Sequence, residues 1–153
     1  MIAEDAVGLE WGFKASFRDY LARMRGSVEV IEPAEATGDS FFFPYVGRKR
    51  VESSLVLRFG GEVGFTGHGG LLRLRLAQPM LVFDQTTVGV AVKHPQDESA
   101  FVVIARLTPG SSAGPIQATL SQAGSNILMG TYSEGTELDP IRLRLPKRLK
   151  HRG

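Results

Sequence analysis

Residues 54–84 read SLVLRFGGEVGFTGHGGLLRLRLAQPMLVFD, and this stretch decides the fold. It holds four short apolar segments of strand length, separated by glycine clusters or by Gln-Pro. Residues 71–76 place arginine between leucines, which predicts a strand with one buried face and one wet face. Similar segments elsewhere read SVEVIE, SFFFP, TVGVAV, AFVVIARL, PIQATL and IRLRL. Such close, regular spacing predicts a mainly β domain, an antiparallel sandwich or barrel of about ten or eleven strands with one or two short helices.

Residues 13–24 depart from this strand pattern. Their apolar side chains recur every three or four positions, as in an amphipathic helix, and Gly26 follows where such a helix would end. Within the strand candidates, FVVIA at residues 101–105 does not alternate, so we expect both of its faces to be covered. Residues 93–99 and 108–115 are predicted to be surface loops.

Composition bounds the class of protein. The chain has 153 residues, 42% hydrophobic and 22% charged, which fits one globular domain, expected over residues 1–146. The net charge is +2, and much of the basic excess lies in a tail at residues 147–153. No apolar run reaches the roughly 18 residues of a membrane span. Cysteine is absent, which excludes disulfides and thiolate chemistry.

The start of the chain has no basic cluster and no apolar run of signal-peptide length. As written, the chain is expected in the cytoplasm; removal of a leader would instead place it in the cell envelope or outside the cell.

Residues 64–70, GFTGHGG, pose the main functional question. On a strand, Gly64, Thr66 and His68 share one face, so the histidine has almost no bulky neighbours there. Two interpretations are open. The glycines close a hairpin with His68 solvated at its tip, or they let a ligand approach the backbone closely.

Other chemistry has weaker support. Three histidines without cysteine give no zinc pattern, and His94 and His151 lie in polar surroundings that favour solvated side chains. No nucleophile elbow or phosphate loop occurs, although counting residues does not exclude a catalytic triad. The basic tail could contact nucleic acid or anionic lipid, but it is short and lacks interleaved aromatics. We expect no nucleic-acid partner.

Three ordered blocks are more specific: GLEWGFKASFRDYL at 8–21, EVGFTGHGGLLRLRLAQPML at 62–81 and GTYSEGTELDPIRLRL at 130–145. Together they resemble the signature blocks of the HtaA domain, a heme-binding and heme-uptake module found mostly in actinobacteria. The resemblance implies a β-rich fold that binds heme b in its ferric state. It implies that Tyr20 ligates the iron and that His68 forms a hydrogen bond to the Tyr20 oxygen.

The resemblance also suggests further contacts. Ser16, four residues before Tyr20, is a candidate for a heme propionate, and Tyr132 of the third block is implicated in some members. Phe17, Phe65 and the FFFP run at residues 41–44 are candidate walls, although aromatic residues usually pack in a core. Arg18 is either solvated or paired with a propionate. Glu62 and Gly69 depart from the family's frequent serine and aspartate, which leaves the fit of the pocket mouth open.

The expected function is therefore that of a carrier without turnover, its partners being heme and other heme-uptake proteins. Two alternatives stay open. One is a heme-dependent enzyme of the peroxidase or catalase type, because tyrosinate also ligates heme iron in catalase. The other is a β-sandwich interaction module that has lost heme. Oligomeric state is not predicted.

Overall fold

The computed structural model describes residues 6–108 and 114–144, which form twelve strands, two α-helices and one short 3-10 turn. The strands are β1 (Gly8–Trp11), β2 (Ser27–Ile31), β3 (Glu35–Thr37), β4 (Ser40–Val51), β5 (Ser54–Phe59), β6 (Glu62–Gly67), β7 (Leu72–Ala77), β8 (Met80–Phe83), β9 (Val88–His94), β10 (Asp97–Thr108), β11 (Ile116–Leu120) and β12 (Glu137–Arg144). The helices are α1 (Ala15–Arg23) and α2 (Gln122–Ile127), and the 3-10 turn is His68–Gly70. The predicted tail at 147–153, with His151, lies outside the described residues.

Eight strands close into an antiparallel barrel in the order β1-β12-β11-β10-β9-β8-β5-β4, with β4 pairing back to β1. Closure occurs at β1, where Leu9 pairs with Leu143 on one side and with Phe43 on the other. Strand β3 extends the sheet from β4. The prediction of a mainly β, barrel-like domain is confirmed.

A second sheet, ordered β2-β6-β7, packs with α1 against the barrel. Phe65 of β6 joins the two parts, because its ring lies 5.9 Å from that of Phe41 on β4 and 5.6 Å from that of Phe17 on α1. All three rings belong to one hydrophobic core. Leu72, Leu74 and Leu76 of β7 are buried in it as alternation predicted.

The prediction for residues 101–105 was wrong. Phe101 and Val103 are 44% and 41% exposed, whereas Ile104 and Ala105 are both buried. A register shift between Val103 and Ala105 breaks the alternation, and such a bulge points two successive side chains inward. The non-alternating sequence therefore records a β-bulge rather than a strand covered on both faces.

Other differences concern boundaries. Residues 93–99, predicted to be a loop, lie mostly in the β9–β10 hairpin, where Asp97 pairs with His94. Part of the loop predicted at 108–115 lies outside the described residues. The sequence pattern missed β1, β3 and α2. Helix α1 was predicted correctly and differs only at its ends.

The barrel has two dissimilar ends. We call one the helix end, because α1 follows Trp11 of β1 and α2 follows Leu120 of β11 there. We call the other the hairpin end: it carries Gly8, its partner Arg144 and the turn between β4 and β5. Among the described residues, no helix is long and apolar enough to span a membrane.

Candidate functional site

A tyrosine and a histidine from distant parts of the chain meet at the helix end. The Tyr20 hydroxyl lies 2.6 Å from His68 Nε2, although the two residues are 48 positions apart. Tyr20 is half-buried on α1, and His68 is exposed at the start of the 3-10 turn. The structure thus brings together the first two sequence blocks at the pair of residues that the resemblance singled out.

Helix α1 is held in place by the third block. The side chain of its N-cap residue, Lys14, makes no cap hydrogen bond. Instead, Asp139 of β12 accepts the Ala15 N–H through Oδ1 at 2.9 Å and Arg18 Nη1 through Oδ2 at 2.7 Å. A carboxylate at a helix N-terminus satisfies a free N–H group and complements the helix dipole. Asp139 therefore positions the helix that carries Tyr20.

The backbone around Asp139 is tied to the same region. Its carbonyl accepts the Trp11 indole N–H at 2.8 Å, and its own N–H donates to the Phe13 carbonyl at 2.8 Å. Arg18 also donates to the Gly12 carbonyl at 2.7 Å. The expectation that Arg18 is solvated is corrected here, and its pairing with a propionate stays a prediction. The Arg18 side chain is only 18% exposed and is engaged in holding α1.

The glycines of the β6–β7 hairpin have separate roles. A Cβ on Gly67 would lie 2.8 Å from Leu21 Cδ2, so the missing side chain lets α1 approach the hairpin closely. Gly69 and Gly70 adopt φ values of 63° and 98° in the turn, which glycine accommodates without strain. Only Gly64 fits the idea of an open floor, since it has free space where a side chain would be and no turn to form. The glycines thus build a turn and a helix contact.

The remaining predicted site residues are spread over this end. Phe17 and Phe65 are fully buried, and they share one hydrophobic core with Phe41 and Phe43. Phe42 is buried outside that core, with its ring under the Arg144 guanidinium at 5.3 Å. Tyr132 is half-buried, and its ring lies 6.1 Å from that of Phe17 and under Lys14 Nζ. Ser16 is exposed on α1, one helical turn before Tyr20.

A cavity of about 550 Å³ opens beside the 3-10 turn. Leu71 forms part of its wall, and the Leu71 N–H donates to the His68 carbonyl at 3.2 Å. Met129, after α2, lines it too, and these two apolar side chains are 76% and 69% exposed. Arg73 and His94 add polar groups to the lining. Such a volume and mixed lining are typical of small-molecule sites. Sequence reasoning missed Leu71 and Met129 as lining residues, because each lies at the end of an apolar run that is typical of a buried strand or helix.

Charges on the outer face of the hairpin are matched. Arg75 donates to both carboxylate oxygens of Glu62, at 2.9 and 3.0 Å, and to Glu98 at 3.1 Å. These hydrogen bonds raise the pKa of Arg75 above its usual value, and those from Arg75 and Lys93 lower the pKa of Glu98. Glu62, which departs from the family pattern, therefore has a structural partner across the hairpin.

The donor atoms limit what the site can hold. One phenol and one imidazole do not bind a bare metal ion, which takes four or more protein or water ligands. No group of three His, Cys, Asp or Glu residues that could do so occurs in residues 6–108 and 114–144. The pair instead suits an ion whose equatorial positions are filled by a flat macrocycle, and tyrosinate is one of the known axial ligands of heme iron.

Comparison with known proteins agrees with the three-block resemblance. A family model described as Htaa matches residues 6–144. The C-terminal domain of HtaA from Corynebacterium glutamicum is similar at 26% identity with a TM-score of 0.69, covering 88% of this chain and 92% of that one. The N-terminal domain of the same protein is 23% identical with a TM-score of 0.75, covering 92% of this chain and 97% of that one. Heme binding protein HtaB from that organism is 23% identical with a TM-score of 0.65, covering 92% of this chain and 93% of that one. No curated protein sequence matches.

Proposed function

The chain belongs to the HtaA family, and on that premise we propose that it binds ferric heme b through Tyr20 for uptake, transfer or storage. The observation that carries the proposal is the 2.6 Å contact between the Tyr20 hydroxyl and His68 Nε2, which joins a half-buried side chain to an exposed one. A hydrogen bond between surface side chains of this kind adds little to the stability of the hydrophobic core. Residues from all three sequence blocks nevertheless hold the pair in position, since Tyr20 and His68 come from the first two and Asp139 of the third anchors helix α1.

Proton transfer explains why a tyrosine needs this partner. A free phenol keeps its proton at neutral pH, so it becomes an anionic ligand only if something accepts that proton. The Tyr20 O–H donates to His68 Nε2 when the imidazole is neutral in the Nδ1–H tautomer. His68 is thus placed to take the proton and then to donate it back as a hydrogen bond to the phenolate oxygen. Bound heme supplies a ferric iron, which prefers a hard anionic oxygen.

The surrounding residues fit a flat apolar ligand. Leu71 and Met129 expose side chains beside the cavity, and their burial by a macrocycle would release water from both. At about 25 cal/mol per Å², covering a few hundred Å² of porphyrin stabilises the complex by several kcal/mol before ordering costs. Ser16 lies about 6 Å along α1 from Tyr20, given a rise of about 1.5 Å per residue. Ser16 is therefore a candidate contact for a propionate of a heme bound at Tyr20.

A hemin titration followed by absorbance tests the proposal. Wild-type protein is expected to show a phenolate-to-iron charge-transfer band, and Tyr20→Phe is expected to lose that band while remaining folded. Tyr45→Phe is the matched control, because Tyr45 is another partly exposed tyrosine that packs edge-on against Phe59. A band that persists in Tyr20→Phe would assign the ligand to another residue.

Two further outcomes discriminate between the alternatives left open by the sequence. Equal, weak hemin affinity in wild type and Tyr20→Phe would favour an interaction module without heme. Peroxide turnover by the hemin complex well above that of free hemin would favour an enzyme.

A further inference from the structure

The hairpin end carries a row of unmatched positive charges. Arg48, Lys49 and Arg50 are consecutive residues near the end of β4, and all three are exposed. None of them forms an ion pair with a carboxylate in the described part of the chain. An open cleft of about 270 Å³ lies among them and Leu55. Three adjacent cations repel one another, so this arrangement favours an anionic partner.

The geometry of the hairpin spreads these charges over both of its faces. Arg48 and Arg50 pair with Leu57 and Leu55 of β5, whereas Lys49 pairs with Val56 and so points to the opposite face. The pairing of β4 with β1 extends from Phe41 only to Pro44. Beyond Tyr45, which donates to the Val7 carbonyl, β4 pairs with β5 alone in the described structure. Residues 46–55 therefore form a basic hairpin in which β4 is an edge strand in the described structure, whereas β5 pairs with β8 from Leu55 onward.

Further basic sequence continues from the same end of the barrel. Gly8 pairs with both Pro44 and Arg144, so Arg144 lies close to the base of the hairpin. Basic residues of the hairpin and of the chain that continues from Arg144 number seven: Arg48, Lys49, Arg50, Lys147, Arg148, Lys150 and Arg152. Acidic residues of this end and of the chain that precedes Gly8 number four: Glu4, Asp5, Glu52 and Asp84. Four of these seven basic residues lie in the tail, and three lie in the hairpin.

Apolar side chains are interspersed with the cations. Val46 and Val51 are 56% and 46% exposed, and Tyr45 is 39% exposed. Charges at the free edge of a strand also discourage aggregation, but that role gives no reason to expose two valines there. Cations beside exposed aliphatic and aromatic side chains match a surface with phosphates outside and hydrocarbon beneath.

We propose that the basic hairpin at residues 46–55 docks the protein onto an anionic lipid surface, with Arg48, Lys49 and Arg50 at the headgroup phosphates and Val51 below them. Nucleic acid has the same phosphate chemistry, but its single strands are held by exposed aromatic platforms. Beside the hairpin, the ring of Tyr45 is 39% exposed and packs edge-on against that of Phe59, 5.9 Å away, so it does not form a row of stacking platforms. Docking by the hairpin would leave the Tyr20–His68 pair, at the other end of the barrel, facing away from the lipid.

Co-sedimentation of the full chain with vesicles tests this proposal without heme. Binding is expected to vesicles of phosphatidylcholine mixed with phosphatidylglycerol and not to phosphatidylcholine alone. It should weaken as added salt shortens the Debye length towards about 3 Å at 1 M. Each basic residue near such a surface contributes about fivefold to partitioning, so Arg48→Gln/Lys49→Gln/Arg50→Gln should lose on the order of a hundredfold.

The matched control removes three exposed arginines from the helix end, as Arg23→Gln/Arg25→Gln/Arg73→Gln. It changes the net charge equally and is expected to change vesicle binding far less. If the two triple variants lose binding equally, the effect is one of net charge and the proposal is overturned.

The apolar part of the proposal has its own test. Val51→Asn is expected to weaken vesicle binding several-fold while leaving binding to soluble inorganic polyphosphate unchanged. If Val51→Asn has no effect on vesicles, or if single-stranded oligonucleotide binds more tightly than vesicles at equal salt, the lipid assignment is wrong. Circular dichroism of each variant verifies that the barrel is intact.

Discussion

The contacts that hold helix α1 and the basic hairpin at residues 46–55 handle charge in opposite ways. At the helix end, Arg18 is matched by Asp139 and Tyr20 by His68, and these contacts join residues 121 and 48 positions apart. At the hairpin end, Arg48, Lys49 and Arg50 are neighbours in sequence and carry no matching carboxylates in the described structure. Paired contacts between distant residues hold the side chains of a site in position, whereas unpaired charges that are neighbours in sequence leave a surface available to an oppositely charged partner. The two ends should therefore respond separately to mutation.

The largest stability effect is expected from Asp139→Ala. The substitution removes the carboxylate that caps α1 and leaves Arg18, which is 18% exposed, without its partner. Losing a cap and a charged hydrogen bond together costs about 3 kcal/mol. Urea unfolding measures this loss, and a hemin titration is expected to show weaker binding because Tyr20 is no longer positioned.

Asp39→Ala is the control for that measurement, since Asp39 is an exposed aspartate beyond β3. Equal stability of Asp139→Ala and wild type would show that the third block does not hold the helix.

The next largest effect is expected from His68→Gln and should appear in heme binding rather than stability. His68 is exposed, so its loss leaves the core intact. Replacing an outer partner of a metal ligand typically weakens metal binding about 10–100-fold. In the hemin titration, the charge-transfer band is expected to shift in wavelength, and the affinity for hemin is expected to fall.

His94→Gln supplies the comparison, because His94 lines the cavity without touching Tyr20 in the described structure. If hemin affinity falls more in His94→Gln than in His68→Gln, the histidine that matters for heme binding is His94 in the cavity wall and not His68.

The smallest of these effects is expected from Gly67→Ala. The added Cβ would meet the flexible end of Leu21 at 2.8 Å, so α1 must shift slightly at a cost of about 1 kcal/mol. Gly64→Ala has nothing within 4 Å of its new Cβ and should be as stable as wild type. Thermal unfolding measures both variants. A Gly64→Ala protein that is stable but binds hemin poorly would instead support the idea of a porphyrin floor at Gly64.

Much of the fold was predictable because its strands alternate. In β7, the periodic leucines and arginines were enough to assign the buried face, and helix α1 followed from its apolar spacing. The bulge at Ile104 was not predictable, since a non-alternating apolar run looks the same whether a strand is bulged or covered on both faces. Strands β1 and β3 are too short to show a period.

The candidate site likewise has features that could be predicted from the sequence and features that could not. The three-block resemblance singled out Tyr20 and His68 and predicted their hydrogen bond, which the local sequence alone did not predict. Three features became visible only in the folded structure. They are the ion pair between Arg18 and Asp139, the close approach of α1 at Gly67, and the exposed apolar side chains of Leu71 and Met129 at the cavity. Local periodicity depends on neighbours along the chain and is readable directly from it. Contacts between residues more than a hundred positions apart depend on barrel closure and register, which no short stretch of sequence encodes.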